Sequence, residues 1–303
     1  MTTAIRTSLL LFLIATSIDA QPPYDLVLKG GRVIDPKNKL DAVSDVAVAK
    51  GRIARVAPNI PPSQAKQVVN VTGLIVAPGL IDIHVHVYQR PENPAIKSDS
   101  DVQADAHSFR SGVTTMVDAG TSGASNFADF KARVIDKAQT RVVALLNIAA
   151  SGMGTGHEDD LAGLDAALAA RTAKAHPGVI VGFKSAHFGG PGWESIDAAV
   201  KASRMTGLPV MVDFGYLNKV RNLGTLLEDK MRAGDIYTHC YSGHRRELTE
   251  DGKVNPAMIN GRKRGIWFDV GHGAGSFYWY VAVQLFSRAS FPTSSPPICT
   301  PAA

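Results

Sequence analysis

The sequence predicts an α/β fold: a (β/α)8 TIM barrel lacking its eighth strand, preceded by a small N-terminal β-sandwich module. Three observations predict it. Seven apolar, β-branched runs recur from Gly79 onward, separated by Ala-rich amphipathic segments. The runs are nearly continuous in apolar residues, as strands buried on both faces of a parallel sheet must be. The stretch ahead of them, Tyr24 to Val76, reads instead as short strands broken by Gly and Pro turns. The expected organisation is 1–20 as a signal peptide, 21–77 as the β-sandwich portion, 78–284 as the incomplete barrel and 285–303 as an aberrant disordered tail.

The chain opens with MTTAIRTSLLLFLIATSIDA, in which one Arg precedes an apolar run from Leu9 to Ile18, and Ala20 offers a cleavage residue before Gln21. Export is the expectation, to a secreted or periplasmic location. The run is shorter than the roughly 20 apolar residues of a membrane-spanning helix, so no stable span is expected after cleavage. Removing the segment takes away Arg6 and Asp19, which leaves the net charge of +5 unchanged. The basic residues are scattered apart from His244-Arg245-Arg246 and Arg262-Lys263-Arg264, without the aromatic interleaving of a nucleic-acid surface. No nucleic-acid partner is expected. Two cysteines, Cys240 and Cys299, are too few for a disulfide scaffold.

In the first module the strands are carried by DLVLKGGRVIDP, DVAVAKGRIARVAP and QVVNVTGLIVAP. The barrel runs follow: Leu80 to Val85, Val113 to Asp118, Val142 to Ile148, Val179 to Lys184, Pro209 to Phe214, Ile236 to Cys240 and Ile266 to Val270. Helical segments such as EDDLAGLDAALAARTAKA and WESIDAAVKASRMTG lie between them. A doubly wound open sheet is the competing architecture. It usually places a Gly-rich phosphate loop after its first strand, whereas here that strand ends in His84-Val85-His86.

Residues two apart on a strand face the same side, so His84 and His86 project into one space at the strand's end. Two imidazoles so placed can chelate a divalent metal. A lone histidine would more often be a satisfied core residue; the pair, following Pro78-Gly79-Leu80-Ile81-Asp82, is more specific.

The run APGLIDIHVH, together with GGRVIDP, SGVTTMVDAG, VGFKSAH, IYTHCYSG and FDVGHGAGSF, resembles the amidohydrolase superfamily from about Leu26 to Phe277, and within it the dihydroorotase-like amidohydrolases and deacetylases. The resemblance implies a binuclear zinc centre held by the first-strand histidines, a carboxylated lysine on strand four, ligands on strands five and six, and an aspartate on strand eight. Carried onto this chain, the metal ligands are His84, His86, Lys184, Asp213 and His239. A free ammonium at the buried end of strand four is costly, and addition of carbon dioxide would turn Lys184 into a carbamate able to bridge two ions. The alternative is a lysine that snorkels to the surface. Asp213 stands where the broader family carries a histidine. A carboxylate is a competent zinc ligand, so the site persists with altered charge, holds one metal ion instead of two, or prefers a harder ion such as manganese.

His187 and His272 follow strands four and seven, at the barrel end where active sites of this fold lie. The resemblance implies that they contact a small-molecule substrate, against the plainer reading of loop hydrogen bonds. His107, His157, His176 and His244 are expected to face solvent or cap helices. The implied reaction is metal-dependent hydrolysis of an amide, cyclic amide or ester bond in a small N-acylated, amino-acid-like substrate. Metal ions lower the pKa of a water and polarise the carbonyl, while a carboxylate moves the proton to the leaving group. A non-catalytic secreted metal-binding fragment is the competing expectation.

That carboxylate should sit on strand eight, in a segment resembling GFxPDxISTDLH. The chain instead ends ASFPTSSPPICTPAA, whose Pro and Ser content reads as a disordered tail. No catalytic residue is therefore assigned. Codons can be chosen for Arg288 to Pro301 such that skipping two bases translates as GFFPDLISTDLHT. This predicts a frameshift between about Ser276 and Arg288, an impaired hydrolase, and an open barrel edge through which chains associate. Nucleotide sequencing downstream of Phe277 should reveal Ser-Thr-Asp-Leu-His in the second frame, and a gene without that coding removes the frameshift.

Overall fold

A computed structural model describes residues 22–88, 102–154, 158–213, 215, 217–273 and 275–288. The expected signal peptide and residues 289–303 lie outside this set. The chain divides into two compact units, Met1–Pro78 and Gly79–Ala303.

The first unit is a five-stranded mixed sheet of β1 (Tyr24–Asp35), β2 (Leu40–Ala49), β3 (Arg52–Ala57), β4 (Ala65–Asn70) and β5 (Ile75–Val76). The long β1 pairs antiparallel with β2, and its other edge takes β4 and then β5 in parallel. Among the described residues this is one sheet, where a sandwich portion was expected. Its small core of Val27 and Ala47 is closed by Ile60 from a loop, which does the work of a second layer. Asp45 fixes that loop: its buried carboxylate accepts hydrogen bonds from Lys29 Nζ and the Gly30 and Ile60 amides, each at 2.8 Å.

The second unit is built on seven parallel strands whose order in space is their order in sequence: β6 (Leu80–Val85), β7 (Val113–Gly123), β8 (Arg141–Asn147), β9 (Ile180–Ser185), β10 (Val210–Val212), β11 (Ile236–Tyr237) and β12 (Trp267–Phe268). Alternation along β8 shows why the runs are apolar throughout. Val142, Ala144 and Leu146 enter the large core shared with the helices, while Val143 and Leu145 join Val117, Ala119 and Met211 on the opposite face. The intervening helices carry local signals. Asp165 caps Ala166–Ala175 through the Ala167 and Leu168 amides, and that helix buries Ala166, Ala169, Ala170 and Ala173. Asn255 caps Pro256–Lys263, which begins with proline, and Gly207 in the left-handed conformation ends Glu194–Thr206.

The last three strands are shorter than their apolar runs. Beyond Val212, Tyr237 and Phe268 the backbones still bond laterally, through Asp213 N to Ser185 O (2.8 Å), Thr238 N to Val212 O (3.2 Å) and Cys240 N to Asp269 O (3.2 Å). They leave the regular ladder there and turn polar side chains inward.

The sheet curls. Six strand spacings of about 4.8 Å would hold β6 and β12 about 29 Å apart in a flat sheet, yet His84 Nδ1 on β6 lies 2.6 Å from Asp269 Oδ2 beyond β12. An open doubly wound sheet cannot make that contact.

The tail boundary placed after residue 284 is corrected. A helix spans Trp279–Arg288, and Val281, Ala282 and Leu285 at helical spacing are buried against the core. Packing of this stripe carries order through the first residues assigned to the tail.

Asp118, fully buried on β7, accepts from the Val87 amide (2.9 Å) and the Thr121 amide (2.8 Å), tying the segment after β6 to the turn at the end of β7. Burial pushes its carboxyl up to about 6, against those hydrogen bonds, which favour the charge. The folded state thus holds this proton more tightly than the unfolded chain, where aspartate titrates near about 3.9. The stabilisation is complete below about pH 4 and is lost as pH rises through about 6, by about 3 kcal/mol. Asp118→Asn cannot ionise, so urea unfolding should show the wild type losing about 3 kcal/mol relative to the variant between about pH 4 and pH 7. A difference that is flat with pH contradicts this.

Candidate metal centre

Three imidazoles meet at the C-terminal ends of the parallel strands. The register of β6 shifts between Asp82 and Val85. Past that irregularity Val85 and Val87 enter the helix-side core, and His84 and His86 turn to the other side with ring centroids 5.6 Å apart. His239, two residues past β11, brings its ring to 5.0 Å from that of His84.

Each ring is held through the same nitrogen. His84 Nδ1 bonds Asp269 Oδ2 (2.6 Å) and Thr238 Oγ1 (2.9 Å), His86 Nδ1 bonds Thr121 Oγ1 (2.9 Å), and His239 Nδ1 donates to the Gly271 carbonyl (2.6 Å). Anchoring at Nδ1 leaves Nε2 as the nitrogen that could ligate, the way outer partners orient histidines in metal sites. Burial drives the His84 imidazole down to about 4, with Lys184 adding to the effect and Asp269 opposing it. Burial, with the neighbouring His84, drives His86 well below the usual range. Both are therefore neutral at physiological pH, the form that binds metal.

Lys184, near the end of β9, is 1% exposed. Among the described residues its ammonium has one hydrogen-bond partner, the Met211 thioether at 3.4 Å. That is poor compensation for a buried charge. Burial pushes the amine's pKa down, while Asp213, Asp269 and Glu158 pull the other way. The stem is threaded past Gly120, whose φ of +91° favours glycine and where a Cβ would fall 2.6 Å from Lys184 Cβ and Cγ. Gly271 is equally constrained: at φ +52°, a Cβ would lie 2.6 Å from His239 Nδ1.

Asp213 follows β10 and is buried. Its Oδ1 accepts from Arg245 Nη2, and its Oδ2 lies 3.1 Å from His187 Nε2 and 3.5 Å from His239 Nε2. His187 is bracketed on its other nitrogen by Glu158 Oε2 at 3.2 Å. Hydrogen bonds to Asp213 and then Glu158 push its pKa up to about 10, against burial. His187 and His239 both adopt left-handed backbone, φ 50° and 57°, a conformation that costs a non-glycine residue about 1–2 kcal/mol.

Sequence-derived residues His84, His86, Lys184, Asp213, His239 and His187 are thus gathered in one place. His272 is not: it remains exposed, its ring 4.9 Å from that of Phe277. Of the other histidines, His107 pairs with Arg110, His244 donates to the Gly275 carbonyl, His176 caps Ala166–Ala175 beside Phe127, and His157 lies outside the described residues. Sequence reasoning missed Asp269, Thr238, Thr121 and Arg245. A carboxylate closing the apolar run IWFD was a usable signal for Asp269; nothing local marked the rest.

The donor set suits a divalent cation. No three His, Cys, Asp or Glu side chains among the described residues are already drawn together as a ligand group. The fit rests on imidazoles pre-oriented through Nδ1 and on a buried lysine that lacks a strong partner. Zinc takes such nitrogen and oxygen donors, and manganese accepts the oxygens.

No protein-family model matches the chain. A deacetylase from Enterococcus faecalis is 29% identical over 271 residues, covering 86% of this chain and 68% of the relative. A deacetylase from Brucella anthropi is 28% identical over 269 residues, and the chain spans 63% of it. A dihydroorotase from Solibacter usitatus is 53% identical over 62 residues, 20% of this chain and 14% of that protein. The crystal structure of a dihydroorotase shares the fold, with a TM-score of 0.66 at 24% identity. The crystal structure of an adenine deaminase aligns at a TM-score of 0.75 with 30% identity, over 87% of this chain and 70% of that one. Extending across both units, and joined to the histidine pair that ends the first strand of the curled sheet, this similarity shows that the chain belongs to the amidohydrolase superfamily.

Proposed function

We propose that this chain is a metal-dependent hydrolase of the amidohydrolase kind, built on a (β/α)8 barrel of which seven strands are described. It acts outside the cytoplasm on an amide, cyclic amide or ester bond of a small N-acylated, amino-acid-like substrate. One observation carries the reading: three imidazoles share one space, each tied through Nδ1, beside a buried lysine whose hydrogen bond among the described residues is to a thioether. The deacetylase, dihydroorotase and adenine deaminase names of the relatives support hydrolytic chemistry.

The proposed ligands are His84, His86 and His239 through Nε2, and Lys184 as a carbamate. Burial favours the neutral amine of Lys184, and that form attacks carbon dioxide, creating an N–C bond and releasing one proton. When bound, a divalent cation supplies an acidified water and a polarised carbonyl. The chain's own residues hold and orient. Asp269 fixes the His84 tautomer, Thr238 braces the same nitrogen, and Thr121 does this for His86. His187, exposed at the rim and ion-paired to Glu158 and Asp213, is the residue proposed to meet the substrate. At the sheet edge, Leu80 and Ile81 on β6 are exposed, which supports association of chains there. Among the described residues no helix is long and apolar enough to cross a membrane.

The test is zinc affinity by competition with a chromophoric chelator, followed by turnover on N-acetyl amino acids, cyclic ureides and acetyl esters. The wild type should bind zinc, and Asp269→Asn should weaken binding about 10–100-fold by releasing the His84 tautomer. Zinc binding without turnover on any substrate favours the non-catalytic metal-binding protein. No zinc binding defeats the proposal.

A further inference from the structure

We propose that this site holds one divalent cation instead of two, because Arg245 permanently occupies the carboxylate on strand five that would have served the second. The inference rests on the metal-site reading above and goes beyond it to the count of ions.

Asp213 directly follows strand β10 and stands where the family resemblance places a strand-five metal ligand. Both of its oxygens are committed: Oδ1 to Arg245 Nη2, and Oδ2 to His187 Nε2 at 3.1 Å with His239 Nε2 at 3.5 Å. Its backbone is also fixed, the amide bonding Ser185 O at 2.8 Å. A carboxylate offers about four lone-pair positions, and a cation must compete with donors already in place.

The competing donor cannot step aside by losing a proton, since guanidinium stays charged at any physiological pH. Nor is it a surface side chain swinging free. Arg245 is 8% exposed; its Nη1 bonds Ser242 Oγ at 3.1 Å and its backbone amide bonds Glu247 Oε2 at 3.0 Å. Glu247 is fully buried and also accepts from Ser242 Oγ (2.8 Å) and Tyr237 OH (3.2 Å). A buried network therefore holds Arg245 against Asp213. A second dication on that carboxylate would meet a fixed positive charge in a site with little water to screen it.

His84 and His86 do not touch the Asp213–Arg245 pair, and His239 meets it only through Nε2, 3.5 Å from Asp213 Oδ2; with Lys184 the three imidazoles supply four donors, the number that zinc takes. His239 serves the single ion together with the β6 pair, and the Asp213–Arg245 pair stands beside it as a built-in charge partner.

The experiment uses the full chain. After dialysis against a chelator, protein is loaded with excess zinc, desalted, and its metal counted by mass spectrometry. A parallel sample loaded with cobalt(II) is examined by electron paramagnetic resonance. The expected result is one ion per chain and the signal of a magnetically isolated cobalt. Arg245→Met frees Asp213 and should raise the count to two, with a spin-coupled pair, while Arg245→Lys keeps the charge and should stay at one. Two ions in the wild type overturn this proposal and leave the metal-site reading intact. No retained ion overturns the metal-site reading itself, and this proposal with it. A count of one in a folded Arg245→Met shows that arginine is not what excludes the second ion, which also overturns it. Should that variant not fold, the wild-type count and cobalt spectrum still decide.

Discussion

The contact between His84 and Asp269 is the constraint from which the rest of the larger unit follows. It joins the end of the first strand of the parallel sheet to the end of the seventh, residues 185 positions apart in the chain. A sheet must curl through most of a circle to make it. Curling turns one face of every strand inward, which is why Val117, Val143, Leu145 and Met211 form a core of their own, separate from the one the helices cover. It also makes the inward polar residues at the strand ends neighbours, although they come from six different strands. The same bond orients the His84 ring, so a single interaction both closes the architecture and fixes an imidazole at the strand ends.

Electrostatics in this enclosure is finely opposed. Arg245 brings positive charge, Lys184 an amine whose charge burial disfavours, and Asp213, Asp269 and Glu158 carboxylates, all in surroundings that penalise an unpaired ion. Arg245 and Asp213 satisfy one another directly, and His187 is shared between Asp213 and Glu158. Among the described residues Lys184 has only the Met211 thioether as a hydrogen-bond partner. Gly120 shows how specifically room was made for it: the backbone there takes a conformation that few side chains tolerate, at the point where the lysine stem passes. A residue costly to bury and closely accommodated is expected where modification or metal binding satisfies it.

Much of this was legible in the sequence because it depends on local periodicity. The seven apolar runs became seven strands in the same order, with β6 matching its run from Leu80 to Val85 residue for residue. The spacing of His84 and His86 announced a shared face, whereas Lys184 and Asp213 were reached only through the family resemblance, at VGFKSAH and PVMVDFG. What was not legible depends on contacts between distant segments. Thr121 and Thr238 look like ordinary strand-end threonines until the curl brings them to imidazole nitrogens. Arg245 lies in a basic run, HRR, that read as a solvated face, and only Glu247 and Ser242 turn it inward to Asp213. His272, also placed after a strand end, lies exposed beside Phe277 and apart from the imidazole cluster.

The account's central claim is that Nε2 atoms of His84, His86 and His239 converge on a divalent cation. X-ray absorption of the zinc-loaded chain addresses that directly, because imidazole rings give a recognisable multiple-scattering pattern beyond the first shell. The account predicts zinc–nitrogen distances of about 2.0–2.1 Å with the outer-shell signature of about three imidazoles. A first shell of oxygen alone, without that signature, would contradict it.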